Sequence, residues 1–141
     1  MHLPPHPPPG LFRLHLLRAM HLLIAVGLGI SFWPLIVAPP ELSADARTVI
    51  RSLLGALAVL ALLGLRYPLK MIPLLLFELL WKLIWLLAFA LPMALGPGLD
   101  EYASETFFAC MMGVVLVPFV IPWKQVWLEY VVMPGDRWRR T

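Results

Sequence analysis

Four long apolar runs, separated by short polar breaks, constrain the fold of this chain more than any other feature. The runs cover residues 14–37, 45–65, 70–95 and 102–123. A helix needs about 20 mostly apolar residues to cross the hydrocarbon layer of a bilayer, and each run reaches that length. The sequence therefore predicts an all-α fold, a polytopic bundle of four transmembrane helices.

Composition favours lipid over water as the solvent for these runs. Of the 141 residues, 61% are hydrophobic and 13% are charged, whereas soluble domains carry about 25% charged residues. A water-soluble domain of this length has too little interior to bury so many apolar side chains. The basic residues are scattered among the apolar runs and form no solvated patch, so the net charge of +3 does not indicate a nucleic-acid partner.

The four-helix domain is expected over residues 13–130, between a proline-rich N-terminal tail, 1–12, and a basic C-terminal tail, 131–141. Basic residues followed by an apolar stretch, as at the front of the first run, are also the pattern of a signal peptide. The run is longer than a typical signal sequence, and Pro39 directly after Ala38 would obstruct cleavage, so the first helix is expected to be retained. Ser43 is the predicted N-cap of the second helix.

The distribution of basic residues predicts the topology, because cytoplasmic segments of membrane proteins keep an excess of Lys and Arg. Eight basic residues lie at the front of the first run, around the break between the second and the third, or after the fourth: Arg13, Arg18, Arg66, Lys70, Lys124, Arg137, Arg139 and Arg140. Only Arg47 and Arg51 lie near the first connection, and the third connection carries Asp100, Glu101 and Glu105. Four crossings with both termini in the cytoplasm satisfy this pattern.

Four charged residues lie at unusual depth in the apolar runs. Glu78 and Lys82 stand one helical turn apart, in the favourable order for an ion pair. Counting the helical rise from the basic, cytoplasmic ends places Arg51 and Glu105 farther from the cytoplasm than this pair, toward the outer surface. We expect Glu78, Lys82, Arg51 and Glu105 to form one buried polar cluster between helices 2, 3 and 4. Such a cluster is either an interhelical ion-pair network or a path or site for protons, anions or headgroups.

Small residues on the fourth run are expected to allow close helix packing. Glu105, Ala109 and Gly113 share one predicted stripe, and small residues at this spacing let helix backbones approach. The stripe would aim Glu105 into the bundle.

A second polar group lies at the front of the first apolar run. His15, Arg18 and His21 are spaced by three residues, close to one helical face at the cytoplasmic boundary, and are expected to contact lipid headgroups. A haem bound between helices would require histidines on facing helices, but all four histidines precede residue 22. With a single cysteine, Cys110, the chain also lacks a cysteine-rich metal motif. No metal and no cofactor are therefore expected.

Three stretches carry a resemblance to known proteins. RYPLKMIP at 66–73, FELLWK at 77–82 and PGDRW at 134–138 resemble small uncharacterised bacterial inner-membrane proteins. These share the four-helix outline of the DoxX-like group. The resemblance implies a location in the bacterial inner (plasma) membrane, and supplies no activity.

The sequence contains no glycine-rich phosphate loop, no GxSxG elbow and no HExxH motif. The first interpretation is a non-enzymatic accessory or assembly module that binds membrane lipid, other membrane subunits or further copies of itself. The alternative is a small transporter or proton- or anion-translocating unit that uses the buried charges of helices 2–4. A membrane enzyme or redox subunit acting on quinone or lipid is a third interpretation.

Overall fold

The computed structural model describes residues 7–136, and within this range every regular element is helical. The predicted all-α fold is confirmed for these residues. Four helices are long and apolar enough to cross a membrane: α1 (Leu11–Val37), α2 (Ala46–Arg66), α3 (Ile72–Leu95) and α4 (Glu101–Val120). The first six residues of the predicted proline-rich tail and the last five of the basic tail, with Arg137, Arg139 and Arg140, lie outside the described residues.

A short fifth helix, α5, covers Trp123–Trp127 and continues as a π-helical turn over Leu128–Val132. The fourth apolar run was expected to be helical up to residue 123, but α4 ends at Val120. Pro122 explains the difference, because the ring of a proline disfavours helical backbone at the preceding residue. Ile121 is accordingly extended, with ψ of 130°.

A second proline shapes the end of α3. The helix widens into a π-helical turn over Leu86–Ala90, and the N–H of Leu91 donates to the carbonyl of Leu86. Pro92 follows immediately, has no N–H of its own and cannot continue the regular ladder. After the helix, Gly98 adopts a φ of 93°, which side-chain-bearing residues rarely tolerate.

The start of α2 is capped by Asp45 and not by the predicted Ser43. The Asp45 carboxylate accepts the N–H of Thr48 at 2.9 Å, and the Thr48 hydroxyl faces the N–H of Asp45 at 3.3 Å. This reciprocal arrangement is a capping box. The hydrogen bond from the Thr48 backbone holds the pKa of Asp45 below its ordinary value of 3.8.

The Asp45 cap is expected to make the stability of α2 depend on pH in acid. A carboxylate with a lowered folded-state pKa stabilises fully above its unfolded pKa, and this contribution is lost as pH falls through the folded value. Asp45→Asn keeps an acceptor that does not titrate, whereas Asp45→Ala removes the cap. Thermal unfolding in detergent should show a lower midpoint for Asp45→Ala at neutral pH. Asp45→Asn should lose less stability than the wild type on acidification, and an identical acid response in both proteins would contradict the assignment.

The helices pack as two hairpins. The most extensive packing is between α1 and α2, followed by α3 against α4, and smaller contacts of α1 with α4 and α2 with α3 join the hairpins. The core lies where α1 begins and α4 ends, among fully buried side chains of three helices and the residue after α4: Leu17, Ile72, Leu75, Val117 and Ile121. Beyond Ala25 no residue of α1 is buried, and before Gly55 none of α2 is, within the described residues. The far half of the first hairpin is therefore covered by neither α3 nor α4.

Candidate functional site

A buried ion pair lies within α3. The Glu78 side chain is 2% exposed and the Lys82 side chain 14% exposed, and Nζ of Lys82 donates to Oε2 of Glu78. Leu74, Leu75 and Leu79 are buried beside them. Because an isolated charge is costly in apolar surroundings, the pairing of these two residues is what makes their depth tolerable.

Gly113 makes room for the lysine on the neighbouring helix. A Cβ atom at Gly113 would lie 2.7 Å from both Cδ and Cε of Lys82 and 3.4 Å from its Nζ. The lysine stem thus lies directly on the α4 backbone. The ammonium also stands 4.5 Å from the centroid of the Trp81 ring, a distance at which a cation is attracted to an aromatic face. The pair is therefore an interhelical joint as well as a contact within α3.

Two polar atoms at this joint have no hydrogen-bond partner. Oε1 of Glu78 is a free acceptor and Nε1 of Trp81 is a free donor, and both atoms are buried. Cys110 of α4 is buried next to this region and packs with Leu86 and Ala90. The joint consequently keeps unused hydrogen-bonding capacity in apolar surroundings.

The structure does not bring the predicted four-residue cluster together. Among residues 7–136 the Glu78–Lys82 contact is the only ion pair. Arg51 is half-buried in a groove beside the α1–α2 connection, and Glu105 is exposed near the start of α4. The buried face of α4 passes through Cys110 and Gly113, not through Glu105. The predicted stripe that would aim Glu105 inward is therefore wrong.

The three residues expected to contact headgroups have different surroundings. His15 is exposed, and Nε of the half-buried Arg18 donates to the carbonyl of Leu65 at 3.1 Å, at the end of α2. His21 is fully buried, so it cannot reach a headgroup and its predicted role needs correction. Its Nδ1 lies 2.8 Å from the Leu17 carbonyl oxygen and its Nε2 lies 3.3 Å from that of Met71.

Arg13 caps the C-terminal end of a helix, as Arg18 does. Its Nη1 donates to the carbonyls of Phe119 and Val120 at 2.9 and 3.3 Å. The last carbonyls of a helix have no partner inside the helix and carry the negative end of its dipole, so a guanidinium there is favourable. These contacts place the start of α1 beside the ends of α2 and α4, so α1 runs antiparallel to both helices.

Gly64 of α2 is a site residue that sequence reasoning missed. A Cβ atom there would lie 2.6 Å from Nε2 of His21 and closer still to two ring carbons. The imidazole thus packs directly against α2 at Gly64, while its nitrogens face carbonyls of α1 and of the α2–α3 connection. The second apolar run holds two glycines, Gly55 and Gly64, and nothing in their spacing singles out Gly64 as the partner of a buried histidine.

Within the range 7–136, no group of three or more His, Cys, Asp or Glu side chains is arranged to hold a metal ion. A scan against known protein-family models finds no match, and searches of curated proteins and of solved structures find none either. The resemblance to the DoxX-like outline therefore stays a prediction from sequence.

Proposed function

We propose that the chain is a multi-pass integral membrane protein of a bacterial inner membrane, with four crossings and both termini in the cytoplasm. Its outward side chains support a lipid surrounding: Phe108 is 71% and Phe119 is 73% exposed on α4, and a soluble protein rarely leaves such large apolar patches in water. Arg13 and Arg18 lie at the same end of the bundle as the α2–α3 connection, where Arg66 and Lys70 add to the positive charge.

We further propose that the protein is a non-enzymatic assembly module that binds partner transmembrane helices. The observation that supports this proposal is the joint of Glu78, Lys82 and Gly113 between α3 and α4. The deep charges pair within α3 and pack on α4, while Arg51 and Glu105 lie apart, so the charges are suited to holding helix register. A conducting path would need polar groups that continue toward both surfaces.

The outer face of α4 is the proposed contact with a partner helix. Phe108, Met112, Val115 and Phe119 are exposed there, opposite the buried face of the same helix. A photo-cross-linking amino acid at Phe119 should give one discrete protein adduct in native membranes, of the same size as a stoichiometric component that co-purifies in mild detergent. The same probe at Leu62, exposed on α2, is the matched control. Lipid adducts alone at both positions would contradict helix binding.

Translocation of protons or anions is the second candidate, because one observation favours it. Oε1 of Glu78 is a buried acceptor without a partner, and Nε1 of Trp81 is a free donor near it in the chain. Ionisable groups at membrane depth often mark a path for protons or ions. Purified protein in sealed liposomes tests this by pH- or gradient-driven flux. Flux that disappears in Glu78→Gln and persists in the exposed variant Glu105→Gln would replace the assembly proposal.

A further inference from the structure

A groove with mixed chemistry lies between the end of α1 and the start of α2. Its volume is about 350 Å³, and its polar lining includes Glu41, Thr48, Arg51 and Ser52. A second groove of about 350 Å³ shares Thr48 and Ser52 and continues along α2. The two grooves adjoin at Thr48 and Ser52, and we refer to them together as the track. The first supplies its charged lining, and three apolar side chains line the second: Val49, Leu53 and Ala56.

The groove contains two opposite charges that do not pair with each other. Arg51 is half-buried and Glu41 is exposed, and no ion pair joins them. A guanidinium presents a planar fork of donors that matches a phosphate, and a carboxylate accepts N–H donors from an ammonium. The groove therefore offers one partner for each half of a zwitterionic headgroup.

The hydroxyls in the groove add acceptors for the cationic half. Oγ1 of Thr48 donates its proton to the Asp45 carbonyl at 2.9 Å, and Oγ of Ser52 donates to the Thr48 carbonyl at 2.8 Å. With their protons engaged, the two oxygens offer a ligand only lone pairs, two on Ser52 and one on Thr48, whose Oγ1 also accepts the N–H of Asp45. An ammonium with N–H groups can use these acceptors, whereas a quaternary ammonium has no proton to donate to them.

The depth of Arg51 suits the headgroup region. Arg51 follows the first residue of α2 by five positions, which is about 8 Å along a helix at 1.5 Å per residue. Arginine at this depth extends its stem along apolar surface and keeps its charge at the membrane boundary. Neither α3 nor α4 covers this half of the first hairpin, so the track is open to a lipid from the side.

We propose that this groove binds a zwitterionic phospholipid with a primary ammonium. The phosphate contacts Arg51, the ammonium contacts Glu41 and the hydroxyl oxygens of Thr48 and Ser52, and one acyl chain lies along Leu53 and its neighbours. This site rests on the proposed location of the protein in a membrane. It gives Arg51 a ligand-binding role at the membrane boundary in place of the expected part in a buried cluster.

Lipid retention tests the site. Wild-type protein is reconstituted with equal amounts of phosphatidylethanolamine, phosphatidylglycerol and phosphatidylcholine, purified in mild detergent, and its retained lipids are measured by native mass spectrometry. The expected result is preferential retention of phosphatidylethanolamine. Arg51→Gln should lower this retention about tenfold, in line with the loss of one charge-assisted contact. Arg47→Gln removes the same charge from an exposed residue one turn earlier and should leave retention unchanged.

Two further variants separate the parts of the proposal. Glu41→Gln should remove the preference for phosphatidylethanolamine over phosphatidylglycerol while lipid still binds. Leu53→Trp fills the apolar part of the track from a 58% exposed position and should lower lipid retention without a change in melting temperature. This variant keeps Arg51, so it tests the site even where Arg51→Gln fails to fold. Equal losses in Arg47→Gln and Arg51→Gln would overturn the site, as would equal retention of all three lipids by the wild type.

Alkaline extraction of native membranes distinguishes this proposal from the one on which it rests. If the wild-type chain is released with the soluble fraction, the membrane proposal fails and the lipid site fails with it. If the chain stays in the membrane pellet but shows no lipid preference, only the lipid site is overturned.

Discussion

Gly64→Ala is expected to destabilise the folded bundle by about 2–3 kcal/mol, in the range of overpacked cores. The new methyl group would overlap the His21 ring, with its Cβ only 2.6 Å from Nε2. The ring cannot swing aside without cost, because whichever ring nitrogen carries the proton donates to the carbonyl it faces, that of Leu17 or that of Met71. Relief of the overlap therefore requires that α1 and α2 separate or that this hydrogen bond breaks.

Denaturation with SDS in mixed micelles measures this change, and two variants serve as controls. Gly29→Ala introduces the same methyl group into α1 where nothing lies within 4 Å, so it should be neutral or stabilise by up to about 1 kcal/mol. The double variant His21→Ala with Gly64→Ala should lose less stability than the sum of the losses in the two single variants, because without the imidazole the new methyl group meets no clash. A Gly64→Ala protein as stable as Gly29→Ala would show that His21 does not pack on α2.

Lys82→Met is expected to destabilise the bundle by about 3–5 kcal/mol, as measured when one partner of a buried ion pair is removed. The change leaves the Glu78 carboxylate 2% exposed with no cation. Glu78→Gln leaves the lysine without its anion, but the ammonium still lies 4.5 Å from the centroid of the Trp81 ring. This variant should therefore lose less stability than Lys82→Met. The double change Glu78→Gln with Lys82→Met should restore most of the loss, because neither charge is then left unpaired.

The same unfolding assay in nanodiscs or bicelles, run as a double-mutant cycle, measures the coupling between Glu78 and Lys82. Gly113→Ala gives an independent check. Its Cβ would lie 2.7 Å from the flexible stem of Lys82, which can shift, so its cost should be smaller than that of Gly64→Ala against an anchored ring. Strictly additive losses at Glu78 and Lys82 would argue against the joint and leave the charges available for another role.

The helices were predictable from sequence because a long apolar run is a property of consecutive residues. The ends of the helices were less predictable, since each end depends on which of a few neighbouring residues caps or breaks the helix. Pro122 keeps Ile121 in an extended conformation, so α4 ends at Val120, three residues before the expected end at residue 123. At the start of α2, Asp45 and Thr48 form a reciprocal cap that takes the place expected for Ser43.

The site was predictable only where it is local. Glu78 and Lys82 are one turn apart, so their pairing follows from helix geometry alone. Counting residues gives the height of Arg51 and Glu105 in a bundle but not the direction in which they point, and the structure places both away from the pair. The burial of His21 depends on Gly64 and Met71, which are distant in sequence and carry no signal of that contact.

Sidedness labelling tests most directly the proposal that the chain crosses the membrane four times. Single cysteines are introduced in a Cys110→Ser background and exposed to a membrane-impermeant maleimide in sealed right-side-out vesicles. Ser43→Cys and Pro97→Cys, in the first and third connections, should react at once, whereas Tyr67→Cys and Glu129→Cys should react only after permeabilisation. Immediate reaction at all four positions would contradict the four crossings, and the mirror-image pattern would overturn the cytoplasmic placement of the termini.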